Sequence, residues 1–297
     1  MVGQVDNLTG RSLAVAKVRA CLELLKFRLS FLISFSCAFG FVLASHEVNY
    51  RTLTMLFIGG FLMSGASAII NQIIEKDLDK LMSRTMSRPL PTHRVTVQEA
   101  VVLAVACFSA SVLILLTYTN VLTTALSVLS LILYGFVYTP LKRVGPVAVF
   151  VGAFPGALPP LLGWTAATGG ISHEALIIFG IQFIWQFPHF WAIAWVTDED
   201  YKKAGFKLLP SGGQKDVSTA IQIMIYTLFL IPLGLLPATF GITGINSAIV
   251  ATVCGVLFLA LTFSLMRTGD RKAALKIMFA SFLYLPIVQI AYMLDKL

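Results

Sequence analysis

Long apolar runs alternate with short polar interruptions along almost the whole chain, and the length of the runs decides what they are. Crossing ~30 Å of hydrocarbon takes roughly 20 largely apolar residues of helix. Runs that meet this test fall at 29–46, 53–74, 98–117, 121–139, 147–168, 174–196, 219–239, 245–266 and 274–293. They are too long and too continuously apolar for barrel strands of about ten residues with polar alternation. The pattern therefore predicts an all-α polytopic membrane protein: nine transmembrane helices in one bundle around a central cavity. Residues 1–28 are expected as a cytoplasmic N-terminal tail and 29–297 as a single intramembrane domain. An odd number of spans puts the two termini on opposite sides.

Composition agrees with that solvent. Of 297 residues 57% are hydrophobic and only 12% charged, and the mean hydropathy of +0.85 is far outside what a water-soluble core requires. One set of interruptions carries Arg11, Lys17, Arg19, Lys26, Arg28, Lys76, Lys80, Arg84, Arg88, Arg94, Lys142, Arg143, Lys202, Lys203, Lys207, Lys215, Arg267, Arg271, Lys272 and Lys276. The other set carries Arg51 and Lys296. Short cytoplasmic loops collect cations, so the split predicts a cytoplasmic N-terminus. It also accounts for the net charge of +8 through anionic lipid, with the bilayer as partner and no nucleic acid. Cys21, Cys37, Cys107 and Cys254 are scattered without metal-ligand spacing and read as small apolar residues. The first 28 residues lack the pattern of a cleavable signal, so a bacterial cytoplasmic membrane is the simplest home, and an organellar inner membrane fits the same pattern.

Two polar connections, 75–97 and 197–218, hold the chemistry. They lie four spans apart and so emerge on the same face, which leaves room for a weak duplication of a four-helix unit. In the first, Asn71, Glu75 and Asp79 recur at i, i+4 and i+8. On a helix this lines them along one face over about 12 Å, with Asp77 pointing elsewhere. The small residues Gly65, Ala66, Ser67 and Ala68 just before let that helix pack closely and aim the face at a cavity. Two carboxylates and an amide oxygen suit Mg²⁺, and Arg84 and Arg88, four apart downstream, suit phosphate oxygens. The bland alternative is a solvated helix end on which Glu75, Asp77 and Asp79 pair with Lys76, Lys80 and Arg84.

The second connection repeats the chemistry with Asp198, Glu199 and Asp200, followed by Lys202, Lys203 and Lys207. Asp198 and Asp200 are candidates for a second metal site, and Lys202 or Lys203 for the departing phosphate; a merely hydrophilic loop is the alternative. Before it, Trp185, Gln186, Phe187, Pro188, His189, Phe190, Trp191 and Trp195 form an aromatic wall with two polar points, suited to a large, flat, apolar ligand. His189 lies deep in a span, where an ionisable group is a functional candidate and a structural histidine is as common. In "YTPLKRVGPVAVFVGAFPGALPP", residues 138 to 160, Tyr138, Lys142 and Arg143 stand on the cytoplasmic face. The prolines and glycines that follow predict backbone breaks lining a cavity.

These residues resemble a family. The Asn71, Glu75, Asp79 spacing resembles the first aspartate-rich motif of the UbiA-type intramembrane prenyltransferases, and the Asp198 to Asp200 cluster the second. More specifically, "DLDKLMSRT" with "RPLP", "YTPLKR", "WQFPHF" and "DYKKAGFKLLP" resemble the protohaem IX farnesyltransferases, across nearly the whole chain. The resemblance implies transfer of a farnesyl group from farnesyl diphosphate to a vinyl group of haem B, with capture of the resulting cation by water, to give haem O. It implies Mg²⁺ held by Asn71, Glu75 and Asp79, with Asp200 as the second-motif match. Arg84, Arg88, Lys142, Arg143, Lys202 and Lys203 would meet the diphosphate. If haem is the substrate, His189, Gln186, Trp185 and Tyr138 are the candidates to face it, and the position of His189 in the aromatic wall makes it a candidate ligand to the iron. A haem A synthase or a terminal oxidase is the implied candidate assembly partner. Two positions depart from the pattern: Glu75 stands where an Asp is usual, and the upstream second-motif carboxylate falls at Val196, which puts the second metal site in doubt. A prenyltransferase acting on a quinone precursor would share the acidic motifs. A transporter would place its acidic residues at mid-membrane rather than at helix ends.

Overall fold

A computed structural model describes residues 10–297; the first nine residues of the expected tail lie outside the described residues. The elements are α1 (Gly10–Leu24), α2 (Phe27–Ala44), α3 (Tyr50–Asp79), α4 (Val97–Tyr118) and α5 (Val121–Ile132). A π-helical turn, Leu133–Tyr138, leads from α5 into α6 (Thr139–Leu141). Then come α7 (Val147–Thr168), α8 (His173–Val196), α9 (Asp198–Lys203), α10 (Val217–Thr239), α11 (Ile245–Thr268) and α12 (Arg271–Leu294). Counting α5 and α6 as one passage, nine helices among the described residues are long and apolar enough to cross a membrane.

Helix starts follow local chemistry. Asn49, Thr96, Asn120, Ser172, Asp216 and Asp270 each accept a hydrogen bond from the amide three residues on, at the heads of α3, α4, α5, α8, α10 and α12. Such a cap satisfies an amide the helix cannot, and contributes about 1 kcal/mol. The expected tail is not detached: Ala20 and Leu24 on α1 are buried with Ile69 of α3, Ala100 and Ala104 of α4, and Leu90 and Val95 of the intervening loop. Gln72 Nε2 donates to Leu24 O at 2.8 Å and closes the end of α1.

The helices close into a ring, with α2 between α3 and α7, α8 against α7, α10 and α12, α11 between α10 and α12, and α12 returning to α2. The α2–α7 contact is backbone on backbone. A Cβ on Gly40 would lie 1.9 Å from Pro160 O, and one on Gly163 would lie 1.9 Å from Cys37 O. Only glycine permits that approach.

The breaks expected at the prolines of 146–160 do not form, since α7 runs helical through Pro155, Pro159 and Pro160. The prolines instead release carbonyls. A proline at position 160 cannot donate to Gly156 O, and that oxygen accepts Gln182 Nε2 at 2.8 Å and Gln186 Nε2 at 2.9 Å. Gln289 Nε2 donates to Gln182 Oε1 and to Ser36 Oγ, both at 2.9 Å, and Ser36 Oγ donates to Gln182 Oε1 at 3.0 Å. Four helices are thus tied at one buried level, where the space beside Phe39, Gln182, Gln289 and Tyr292 is only about 10 Å³.

Candidate active site

The last turns of α3, the loop to α4, the end of α6 and the α8–α9 junction meet at one end of the bundle. Asn71, Glu75 and Asp79 share a face there, as the spacing predicts, and all three are buried. Their partners are long-range. Glu75 Oε1 lies 2.8 Å from Lys142 Nζ, with the two side chains 5% and 11% exposed. Lys142 Nζ also stands over the Tyr138 ring at 4.8 Å and the Phe206 ring at 5.7 Å. Burial disfavours the Lys142 charge, but the adjoining Glu75 carboxylate outweighs it and the pKa is raised above that of an ordinary lysine. Asp79 is fully buried, and Arg88 Nη1 donates to its two oxygens at 2.8 and 2.7 Å. Local pairing, the bland expectation, holds for Asp77 alone, which is exposed and bound to Lys80 and Lys76 at 2.8 and 3.3 Å.

Asn71 completes the face. Its Nδ2 donates to Thr139 Oγ1 at 3.1 Å, and Lys26 Nζ approaches its Oδ1 at 3.4 Å. Lys26 is held in the left-handed region, φ 47° and ψ 56°, at the elbow between α1 and α2. Burial, and then the neighbouring Arg88 and Lys142 cations, pull its pKa down to about 7. A chain conformation costly to a lysine therefore delivers a titratable amine to this site.

The second acidic stretch divides. Asp200 accepts from Ser83 N at 3.2 Å, Ser83 Oγ at 3.0 Å, Arg84 N at 3.2 Å and Lys203 Nζ at 3.1 Å. The Lys203 hydrogen bond, with the Ser83 and Arg84 amides, holds its carboxyl down at about 2. One carboxylate thus fastens the loop after α3 to α9. Asp198 is buried against Lys202 and Lys215 at 2.9 and 3.3 Å, and Glu199 is exposed. The five candidate metal residues Asn71, Glu75, Asp79, Asp198 and Asp200 consequently do not form one cage. Among the described residues no three His, Cys, Asp or Glu side chains converge on a common point, because each carboxylate has its own cation. Arg84 and Arg143 are exposed, and neither side chain has an ion pair among the described residues.

The aromatic wall adjoins this end. Tyr138 packs on Tyr134 and Phe190, with ring centroids 5.4 and 6.2 Å apart, and Gly152 makes room for it: a Cβ there would lie 2.7 Å from its ring. Gln186 occupies the space over Gly156 in the same way. Trp185 is buried and stacks on His189 at 4.4 Å with 19° between planes. His189 Nδ1 is 2.9 Å from Ser281 Oγ on α12.

Sequence reasoning missed Lys26, Thr139, Ser83, Lys215 and Ser281 as site residues. A lysine before an apolar run reads as a topology marker, and the hydroxyl residues sit in unremarkable apolar or loop contexts. No local signal distinguishes them.

The donor set fits a hard divalent cation. Glu75, Asp79 and Asn71 offer buried oxygens, and the lysines and arginine now neutralising them are the groups that an anionic ligand would attract. The UbiA prenyltransferase family model matches residues 33–285. A protoheme IX farnesyltransferase of Cytophaga hutchinsonii is 52% identical over 283 residues, covering 95% of this chain and 99% of its own. One from Christiangramia forsetii is 46% identical, covering 92% of each. A solved UbiA homolog from Archaeoglobus fulgidus bound to GPP and Mg²⁺ superposes with a TM-score of 0.68 at 17% identity, over 92% of this chain and 99% of that one.

Proposed function

The chain belongs to the UbiA prenyltransferase family, and on that premise we propose that it transfers a farnesyl group from farnesyl diphosphate to a vinyl group of haem B, with addition of water, giving haem O. The observation that carries the reading is the buried cluster at the end of α3, where Glu75 with Lys142 and Asp79 with Arg88 lie next to an aromatic wall. Relatives matched over 92% and 99% of their own length under the name protoheme IX farnesyltransferase support the choice of acceptor.

Asn71, Glu75 and Asp79 would hold Mg²⁺, with Asp200 acting from the second stretch by fastening the loop after α3; the metal, when bound, neutralises charge on the diphosphate. Arg88, Lys142 and Lys26 receive the diphosphate, with Arg84, Arg143, Lys202 and Lys203 at its outer edge. As the allylic C–O bond breaks, negative charge grows on the leaving group, and these fixed cations stabilise it without reorganisation. The terminal vinyl carbon of haem B then forms the new C–C bond. The cation left beside the porphyrin ring takes up water, which loses a proton, and diphosphate departs. Trp185, Phe190, Tyr138 and the packed wall around them keep other water from the allylic cation until the vinyl carbon reaches it. No side-chain nucleophile is needed.

The cation distribution supports a bacterial cytoplasmic membrane with the N-terminus inside. A haem A synthase or a terminal oxidase is the expected consumer of the product. The test is to incubate the purified full chain with haem B, farnesyl diphosphate and Mg²⁺, with and without EDTA, and to measure the haem mass. A metal-dependent gain of farnesyl plus water supports the reading. Unchanged haem, together with prenylation of a quinone precursor when one replaces haem B in the same assay, would overturn the acceptor and keep the family.

A further inference from the structure

Ser281 Oγ has two neighbours and one proton. It lies 2.6 Å from Met278 O, which can only accept, and 2.9 Å from His189 Nδ1. The hydroxyl hydrogen therefore goes to the Met278 carbonyl, and Oγ meets His189 as an acceptor. That requires the imidazole hydrogen on Nδ1, which leaves Nε2 with its lone pair. Trp185 holds the ring's plane: it stacks on the imidazole, and its Nε1 donates to Ser281 O at 3.1 Å, so one residue of α12 anchors both rings. Phe282 and Phe190 abut the imidazole edge to face, at 5.2 and 5.5 Å. Nε2 has no hydrogen-bond partner among the described residues, yet it is not among the sealed, unsatisfied polar atoms. It is a lone pair on a half-buried ring whose orientation is fixed by Ser281 and Trp185.

We propose that Ser281 is a positioning residue that fixes the His189 tautomer, so that Nε2 is the atom that ligates the iron of the haem substrate. The proposal rests on the haem reading above. It goes beyond naming His189, because it assigns the ligating atom and places the control of it 92 residues away. A hydrogen bond from Nδ1–H to a fixed acceptor orients the ring and raises the basicity of Nε2, and losing such a partner typically weakens metal binding about 10- to 100-fold. Ligation would also hold the macrocycle at one height and orientation against the wall, which decides which peripheral carbon faces the allylic cation.

The experiment titrates the purified full chain with haem B and records affinity, visible spectrum and, in the ferrous form, the iron–histidine stretching band. The wild type should show an imidazole-ligated spectrum. His189→Ala should lose it and regain it with added imidazole. Ser281→Ala should keep an imidazole spectrum with affinity about 10- to 100-fold lower and a shifted stretching band, and Ser281→Thr should restore both. The affinity of Ser281→Ala for farnesyl diphosphate serves as the folding control and should match the wild type. The inference is overturned if His189→Ala leaves the spectrum unchanged, or if Ser281→Ala leaves both affinity and stretching band unchanged, while haem O is still made. A wild type that neither binds nor prenylates haem B overturns the haem reading itself, and the inference with it.

Discussion

Glu75 and Lys142 are 67 positions apart in sequence, and their charged atoms meet at 2.8 Å with both side chains buried. The pair joins the end of α3 to the end of α6 and stands over the ring of Tyr138. A buried pair of this kind is weak evidence for stability, because each ion paid a desolvation cost on entering. On the function proposed above, the pair keeps two charges in readiness for a ligand that carries both a cation and an anion.

Removing one member leaves the other buried and unpaired. Lys142→Met should cost about 3–5 kcal/mol in stability. The double variant Glu75→Gln, Lys142→Met should recover most of that loss in thermal unfolding. Farnesyl transfer should stay abolished in the double variant; recovery of activity there would remove both residues from the mechanism.

Arg88 holds Asp79 through one guanidinium, and in the proposed reaction that same group meets the leaving diphosphate. Arg88→Lys keeps the charge and loses the planar donor geometry. Its rate should fall about 100- to 1,000-fold, as when a single preorganised donor is removed, with only modest loss of Tm. A rate within twofold of wild type would make Arg88 a structural partner of Asp79 only.

Lys26 occupies a left-handed conformation that costs a lysine about 1–2 kcal/mol, and its ammonium adjoins Asn71. Lys26→Gly relieves the backbone and deletes the cation, so stability and activity should move in opposite directions. Tm should hold or rise, while kcat/KM for farnesyl diphosphate should fall roughly 10- to 100-fold, the value of a hydrogen bond to a charged group. Unchanged kinetics would return Lys26 to a topology role.

The two second-stretch aspartates should separate. Asp200 fastens Ser83 and Arg84, so Asp200→Asn should expose the 80–96 loop to protease and raise the Mg²⁺ concentration needed for half-maximal rate. Asp198→Asn should release Lys202 and Lys215 and leave the loop protected. Equal protection in both variants would contradict the fastening role.

Glycine positions give a packing test independent of chemistry. Gly40→Ala or Gly163→Ala forces a Cβ into backbone at 1.9 Å and should cost more than about 3 kcal/mol. Gly180, also inside a helix, has nothing within 4 Å of its would-be Cβ, and Gly180→Ala should be stabilising by about 0.5–1 kcal/mol. Similar losses in both would mean the α2–α7 approach is not what holds the bundle.

Much of this was legible in the chain itself. Hydropathy marked nine spans, because backbone groups in lipid leave the chain few alternatives to long helices. The i, i+4, i+8 spacing placed Asn71, Glu75 and Asp79 on one face because helical geometry is local. The prolines of α7 were misread as breaks, since whether a freed carbonyl disrupts a helix depends on who accepts it as partner, and Gln182 and Gln186 come from another helix.

What the sequence determined by itself was therefore whatever depends on neighbours in the chain: the solvent, the helices, the face that carries the acids and the family that shares those motifs. What only the tertiary structure decided was which cation meets which anion. Glu75 is four residues from Asp79 and one from Lys76, but its partner is Lys142. Asp200 holds Ser83, and His189 Nδ1 meets Ser281 Oγ on another helix. Charge pairing and proton placement act over a few ångströms of space, and helices that run the thickness of a membrane bring together residues that the chain keeps far apart.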